Sequence, residues 1–187
     1  MPDIRLPIRT GRLVLRRFEA ADLEAFHAYH SLPRTARFLP GEAKSYAQCM
    51  ERVGKYANFV FQKEGDWVAL AVEVADVPGL IGEVVLKWLP GYGQAEVGWS
   101  LAPGARGHGY ATEAAEAMLR LGFETLAFHR IDAKLDELNT ASAAICERLG
   151  MRLEARHVDK WRYKGEWATE LVYAMLRDEW TARCAGS

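Results

Sequence analysis

Three strand-like runs followed by a glycine-rich helix segment constrain the fold of this chain more than any other feature. The runs are apolar and rich in β-branched residues, and they occupy residues 67–75, 80–89 and 95–102. The short sequences DVPG and PGYGQ separate them, which predicts an antiparallel meander with hairpin connections. The glycine-rich helix segment covers residues 104–128, and a further strand follows at 130–137. Because a strand-helix-strand unit predicts a parallel pair with a right-handed crossover, the sheet should be mixed.

The remaining periodicities extend this sheet and cover it with helices. Strand-like alternation occurs at residues 12–18, 151–164 and 167–176. Helical spacing of apolar residues predicts helices at 19–30, 45–63 and 139–150, with a loop at 34–41. Half of the 187 residues are hydrophobic, which is enough for one buried core. We therefore predict a single α/β (α+β) domain over residues 1–187, with a central mixed, mostly antiparallel sheet of about seven strands and about four flanking helices.

Charge and cysteine content exclude several classes of protein. Lys plus Arg number 24 against 25 for Asp plus Glu, so a net charge of −1 gives no overall attraction to nucleic acid or to an anionic membrane. Cys49, Cys146 and Cys184 are odd in number and widely spaced, which predicts free thiols and no metal site. The N-terminal sequence lacks the apolar core of a signal peptide, and no apolar run reaches the roughly 18 residues that span a membrane. We therefore expect a cytoplasmic protein with no nucleic-acid or membrane partner.

Gly104, Gly107 and Gly109 lie between a predicted strand and the first turn of a predicted helix. Glycine allows positive φ and lets a ligand approach the backbone, while the first N–H groups of a helix have no intrahelical partner. Together they predict a site for a phosphate or pyrophosphate, to which Arg106 adds charge; an ordinary tight connection would also favour glycine. The segment is not a P-loop, because no Gly-Lys-Ser/Thr occurs in the chain, and the GxGxxG dinucleotide pattern fails at Thr112.

The sequence RGHGYA at residues 106–111 resembles the acyl-CoA signature of the GNAT superfamily of N-acetyltransferases, Q/R-x-x-G-x-G/A. The resemblance extends over nearly the whole chain and is strongest to the RimJ/RimL-like branch, which acetylates the N-termini of ribosomal proteins. Its pattern is followed in order by TGRLVLRRFEAADLEAF, LIGEVVL, AEVGWSLAPGARGHGYATEA, FHRIDAKLDELNTASAAICERLGM and YKGEWATELVYAMLRDEW. The resemblance implies an acetyl-CoA-dependent N-acetyltransferase whose sheet is splayed at the acyl-CoA site.

The resemblance also implies which residues hold the cofactor. Backbone amides of the signature loop would bind the CoA pyrophosphate, and the end of the preceding strand would pair with the pantetheine arm. The loop residues are Arg106, Gly107, His108, Gly109, Tyr110, Ala111 and Thr112, and the strand residues are Ser100, Leu101 and Ala102. Asn139 and Ser142 match the NxxS pattern of the family and would face the cofactor, although Asn139 is also a favoured helix N-cap.

Ser142 and Glu96 are the predicted catalytic residues. The resemblance implies that Ser142 donates a proton to the leaving thiolate, because this helix lacks the Tyr that many GNAT enzymes use. Attack on a thioester needs a neutral amine, and Glu96 is the predicted general base, at a position where related enzymes place a carboxylate. An exposed polar role for Glu96 stays open, with Glu83 and then His157 as alternative bases. Cys146 lies one turn beyond Ser142, where a buried, inert thiol is the simpler interpretation.

The acceptor implied by the resemblance is a primary amine on a small molecule or a peptide. A protein N-terminus, an aminoglycoside or other amine antibiotic, a polyamine and an amino-acid-like metabolite all stay open. Dimers are common in the family, so a homodimer is a further expectation. The alternative function is a non-catalytic acyl-CoA-binding sensor or interaction module on the same fold, because such a module needs the glycine loop but neither Ser142 nor Glu96.

The tryptophans divide into two groups by their position in the predicted elements. Trp88, Trp161 and Trp167 lie near turns or in the last hairpin, where an aromatic wall could hold a cationic amine by cation–π contact. Trp67, Trp99 and Trp180 are predicted to pack in the core.

Overall fold

The computed structural model describes residues 4–39, 41–91, 93–163 and 165–186. The strands in this part of the chain are β1 (Ile8–Arg9), β2 (Leu13–Arg16), β3 (Trp67–Val74), β4 (Val77–Leu89), β5 (Gln94–Leu101), β6 (Arg130–Asp136), β7 (Arg152–Tyr163) and β8 (Glu166–Leu176). The α-helices are α1 (Leu23–His30), α2 (Pro33–Ala36), α3 (Tyr46–Ala57), α4 (Tyr110–Arg120), α5 (Thr140–Leu149) and α6 (Arg177–Ala185). A π-helical turn, Leu121–Thr125, extends α4.

The strands form one mixed sheet in the order β1-β2-β3-β4-β5-β6-β8-β7. The pair β5–β6 is parallel and is connected through α4, whereas every other neighbouring pair is antiparallel. The predicted α/β class and the parallel crossover are therefore confirmed. The sheet has eight strands where about seven were expected from the alternation pattern, because the two residues of β1 are too few to show one. Lys164, which the sequence places between β7 and β8, lies outside the described residues.

Apolar side chains on the two faces of the sheet form two cores. Alternation along β4 shows the division, because Val84 and Leu86 belong to one core and Val85 packs against the other. The larger core includes Met118 of α4 and Cys146 of α5, and the smaller core lies against α1 and α3. Burial of each large apolar side chain stabilises the fold by about 1.5–3 kcal/mol. Helix α4 is thus fixed to the sheet directly after β5.

The helices differ from the prediction in three places. Residues 34–41 were predicted as loop, but α2 begins at Pro33, because proline is favourable at the first helical position. Helix α6 follows β8 and buries Trp180. Helix α3 ends at Ala57 and does not reach residue 63, because Asn58 leaves the helical conformation with φ −111° and ψ 27°. These differences matter most at α2, which contributes to the site described next.

Candidate active site

Strand β5 separates from β6 after three residue pairs, which join residues 94–96 to residues 130–132. On its other side, β5 stays paired with β4 as far as Leu101, which lies opposite Gly82. A Cβ atom at Gly82 would lie 2.4 Å from the carbonyl oxygen of Ser100, so the close approach of these strands requires glycine. The later part of β5 therefore borders an opening in the sheet, where the amides of an extended ligand can satisfy its backbone groups.

A loop with unbonded amides follows the opening. Gly107 and Gly109 have φ angles of +82° and +79°, a region that glycine adopts without strain. Gly109 is the N-cap of α4, and no side chain caps this helix end within the described residues. The amides of residues 107–112 donate to no acceptor in the described part of the chain. Because the helix dipole adds positive potential there, the loop has the properties of an anion site.

Arg12 of the loop before β2 anchors this glycine loop from the opposite side. Its guanidinium donates to the carbonyl oxygen of His108 at 2.9 Å, forms an ion pair with Glu113 at 2.7 Å and lies over the ring of Tyr110. Thr10 donates a second hydrogen bond to the Glu113 carboxylate at 2.6 Å. Burial alone would raise the pKa of Glu113, but the hydrogen bonds from Thr10 and Arg12 lower it. The conformation of the loop is thus fixed without any contact to its free amides.

Arg106 joins the loop to the end of β5. Its Nε donates to the carbonyl oxygen of Leu101 at 3.1 Å. Burial lowers the pKa of Arg106, and the positive charge of Arg34 on α2 lowers it further. Two cations from distant parts of the sequence therefore line the same cleft.

Asn139 and Ser142 lie at the start of α5 and line the same cleft as residues of α2. The side chain of Asn139 accepts a hydrogen bond from the amide of Ser142 at 3.2 Å, so Asn139 caps this helix as its residue type predicts. The Ser142 side chain is partly exposed to the cleft. Cys146, one turn later, is 0% exposed within the core, and burial raises its pKa to about 12. A thiol in such surroundings is protonated and inert near neutral pH.

The opening, the loop and α5 meet in one cleft of about 630 Å³. The predicted cofactor residues that line it are Ser100, Leu101, Arg106, Gly107, Gly109, Thr112, Asn139 and Ser142. Ala102, His108, Tyr110 and Ala111 do not line it, and the His108 ring stacks on Tyr110 instead. Lining residues that the sequence analysis missed include Arg34, Thr35, Phe38, Leu39 and Arg148. Four of these belong to the α2 region, where Pro33 was the one available sequence signal.

Glu96 lies at the last paired position of β5 and β6, where the two strands begin to separate. Its carboxylate accepts a hydrogen bond from Nζ of Lys134 at 2.8 Å, and 30% of its side chain is exposed. Glu96 does not line the cleft. The carboxylate is thus partly shielded and already paired, at the vertex of the opening.

The alternative bases have different surroundings. Glu83 is buried and lies opposite Ser100 in the β4–β5 register. Its carboxylate accepts a hydrogen bond from the Tyr29 hydroxyl and lies 2.9 Å from Nε2 of His30. Burial and the charge of Glu83 raise the pKa of Tyr29 well above its usual value. His157 lies on the edge strand β7 with 47% of its side chain exposed, and neither residue lines the cleft.

The tryptophans are only partly where the sequence placed them. Trp180 is buried as predicted, and Trp99 packs against the core but also lines the cleft. Trp67 is 41% exposed, so its assignment to the core is wrong. Trp88 packs against Phe61 and Phe128 at the core, so its assignment to an acceptor wall is wrong. Trp161 and Trp167 are exposed on the β7–β8 hairpin.

Neither a metal centre nor a membrane-spanning helix occurs in the described residues. No group of three or more His, Cys, Asp and Glu side chains is placed there to bind a metal ion. No helix in the same part of the chain is long and apolar enough to cross a membrane.

Comparison with known proteins agrees with this geometry. The sequence model of the acetyltransferase (GNAT) domain family matches residues 12–152. The chain belongs to the GNAT family of acetyltransferases. It is 33% identical over 174 residues to the uncharacterized N-acetyltransferase YnaD of Bacillus subtilis (strain 168), covering 92% of this chain and 98% of that protein.

Solved structures show the same GNAT fold. An acetyltransferase of the GNAT family from Bacillus anthracis superposes with a TM-score of 0.85 at 30% identity, covering 93% of this chain and 100% of that one. A spermidine N-acetyltransferase from Vibrio cholerae, in complex with CoA and spermine, superposes with a TM-score of 0.78 at 22% identity, covering 92% and 99%. The second likeness shows the fold alone. This protein is therefore an acetyl-CoA-dependent acyltransferase of the GNAT family.

The chemical groups of acetyl-CoA are complementary to the backbone groups of the cleft. The arm of the coenzyme carries amides that match the unpaired backbone bordering the opening, and its diphosphate matches the free amides at 107–112. A Cβ atom at Gly107 would have no heavy atom within 4 Å, so the backbone there is open to a ligand.

Proposed function

We propose that this GNAT protein transfers the acetyl group of acetyl-CoA directly to a primary amine. The observation that carries the proposal is the opening between β5 and β6 next to the glycine loop. Acetyl-CoA supplies an activated thioester when it is bound. The residues of the chain then have three tasks: to hold the coenzyme, to remove a proton from the amine and to protonate the leaving sulfur.

The coenzyme is held by two stretches of backbone in this proposal. The amides of residues 107–112 bind the diphosphate, to which Arg106 adds charge because its own amide donates to the carbonyl oxygen of Pro103, and the end of β5, with Ser100, Leu101 and Ala102, pairs with the pantetheine arm. Asn139 supports this wall through its hydrogen bond to Ser142. Both walls belong to elements that the cores fix in place.

Ser142 donates the proton to the leaving thiolate, and Glu96 accepts the proton of the amine. Ser142 is suited to its role because it lines the cleft on the first turn of α5. Glu96 is suited to its role because Lys134 orients its carboxylate at the vertex of the opening. Glu83 is the next candidate base, since it is buried beside Ser100 with Tyr29 and His30 as partners. His157 is the third.

The acceptor is a small-molecule or peptide amine. The described lining of the cleft contains three arginines, Arg34, Arg106 and Arg148, and no carboxylate. These arginines face the coenzyme in our proposal, so they do not select the acceptor, and our panel contains peptide N-termini, amino-acid-like amines, polyamines and aminoglycosides. The similarity to the RimJ/RimL-like branch supports peptide N-termini. We also propose that residues 1–187 act as a single domain in a cytoplasmic homodimer. Light scattering measures the mass of this dimer.

Release of the CoA thiol, measured against a panel of amines, tests the proposal. We expect turnover with at least one amine, and Ser142→Ala should lower kcat about a hundredfold because general acid catalysis contributes roughly 10²–10⁴-fold. Glu96→Gln keeps the contact with Lys134 but removes the base, so kcat/KM should fall. Thr140→Ala, an exposed position on α5, is the matched control and should leave kcat unchanged.

Two outcomes contradict the proposal in different ways. Tight CoA binding without turnover on any amine would support a non-catalytic acyl-CoA-binding module. Full activity of Glu96→Gln with loss in Glu83→Gln would move the base to Glu83. Binding of CoA is measured separately by calorimetry, so a failure to bind is distinguished from a failure to react.

A further inference from the structure

Helix α2 and the two residues after its C-cap form a wall of the cleft that the family signature does not include. Arg34, Thr35, Phe38 and Leu39 line the cleft together with Trp99 of β5. The segment therefore lies near the end of β5 although at least 60 positions separate it from Trp99 in the sequence. Ser142 of α5 lines the same cleft.

The charge on this wall has no partner within the described residues. The Arg34 guanidinium is exposed at the cleft and takes part in no described hydrogen bond or ion pair. Another cation, Arg106, lines the same cleft, and burial and the charge of Arg34 both lower its pKa. Two guanidinium groups that repel each other at one site indicate that an anion fits between them, because a bound anion would turn the repulsion into attraction.

The hydroxyl of Thr35 is a second and independent indication of a ligand. Thr35 is 5% exposed, and its Oγ1 is buried without a hydrogen-bond partner among the described residues. A buried hydroxyl without a partner destabilises a protein by about 1–3 kcal/mol, so such groups are rare in folded chains. Because Thr35 lines the cleft, a rotation of its side chain would present the hydroxyl to a polar ligand group that packs against α2 and can supply the missing hydrogen bond.

We infer that α2 is a second binding element for the acyl-CoA cofactor. Arg34 pairs with the diphosphate opposite the amides of residues 107–112, and the Thr35 hydroxyl bonds to an amide of the pantetheine arm. This inference rests on the proposed function, because both place the coenzyme in the same cleft. It adds that the coenzyme is gripped from two sides, by the glycine loop and by a four-residue helix.

Calorimetric titration with CoA and with 3′-dephospho-CoA tests the role of Arg34. Arg34→Gln should raise the Kd of both ligands about tenfold, equivalent to about 1.4 kcal/mol, because both carry the diphosphate. The loss should shrink at high salt, since screening weakens the lost attraction. Arg37→Gln is the matched control: Arg37 is exposed on the same segment, lies over the Phe38 ring and does not line the cleft, so its Kd should not change.

Thr35→Val tests the hydroxyl by two measurements: the melting temperature of the free protein, which should not fall, and the affinity for CoA, which should fall. Valine has the shape of threonine without the unpaired oxygen, so the free protein should keep its melting temperature or gain a little. The Kd for CoA and for 3′-dephospho-CoA should rise about fivefold, and the stabilisation by saturating CoA should shrink accordingly. A purely structural role of Thr35 would lower the melting temperature and leave the Kd unchanged.

Each remaining outcome decides one statement. If Arg34→Gln weakens CoA but not 3′-dephospho-CoA, Arg34 contacts the 3′-phosphate and the inference about the diphosphate is wrong. If Arg34→Gln and Thr35→Val both bind CoA as the wild type does, α2 is no binding element, while the proposed function stands. If the wild-type protein itself binds no CoA, the proposed function fails first.

Discussion

Replacement of Gly107 by alanine is the perturbation that most directly separates the loop conformation from the rest of the fold. Gly107 has a φ of +82°, and a Cβ atom there would meet no heavy atom within 4 Å. The left-handed region costs an L-residue roughly 1–2 kcal/mol. Restriction of the unfolded chain returns about 0.4–1 kcal/mol. The expected loss in the free energy of unfolding is therefore about 1 kcal/mol, or roughly 2–4 °C in Tm for a chain of this size.

The same substitution should weaken CoA binding, because relief of the strain turns the loop amides away from the diphosphate. Loss of one charge-assisted hydrogen bond, about 1.5 kcal/mol, corresponds to about a tenfold rise in Kd. Gly65→Ala is the matched control, since Gly65 has a φ of +91° and equally open surroundings in the turn before β3, away from the cleft.

Both variants should lose similar stability in thermal melts, but only Gly107→Ala should lose affinity in calorimetry. Equal Tm losses together with an unchanged Kd for Gly107→Ala would refute the reasoning that the loop amides bind the coenzyme. A loss of affinity in Gly65→Ala would show that the effect comes from general destabilisation.

Three further predictions concern the core and the surface. Gly122→Ala would place a Cβ atom 2.5 Å from Cδ1 of Ile131, so the urea midpoint should fall by the equivalent of about 1–3 kcal/mol. At pH 8 a thiol reagent should modify Cys184, which is exposed, and spare Cys146 until the protein unfolds, because burial raises the pKa of Cys146 to about 12. Arg16→Met removes the partner of two acidic side chains that are largely buried, and chemical denaturation should show a loss of about 2–3 kcal/mol.

The part of the site that sequence could predict is the part that local chemistry determines. Positive φ at Gly107 and Gly109 and the N-cap role of Asn139 follow from their own residue types and immediate neighbours. The wall formed by α2 could not be predicted in this way, because four helical residues show no periodicity and their place in one cleft with Trp99 depends on the packed fold.

Burial of charge was also beyond the reach of the pattern. The apolar sequence around Glu83 predicts a strand. Nothing in that sequence indicates that Tyr29 and His30 of α1 contact the Glu83 carboxylate. Glu96, in a similar strand context, proves to be partly exposed and paired with Lys134. Two acidic residues in neighbouring strands thus have different surroundings, because α1 contacts Glu83 whereas Glu96 is paired with a residue of β6.

The three residue pairs between β5 and β6 divide the sheet into a half with β1–β5 and a half with β6–β8. Because so few hydrogen bonds join the two halves, the backbone that borders the gap should exchange its amide hydrogens with solvent quickly in the free protein. A coenzyme bound in the gap would form hydrogen bonds to this backbone and slow that exchange. Binding of the coenzyme would then reduce the motion of the two halves of the sheet before the acceptor amine binds.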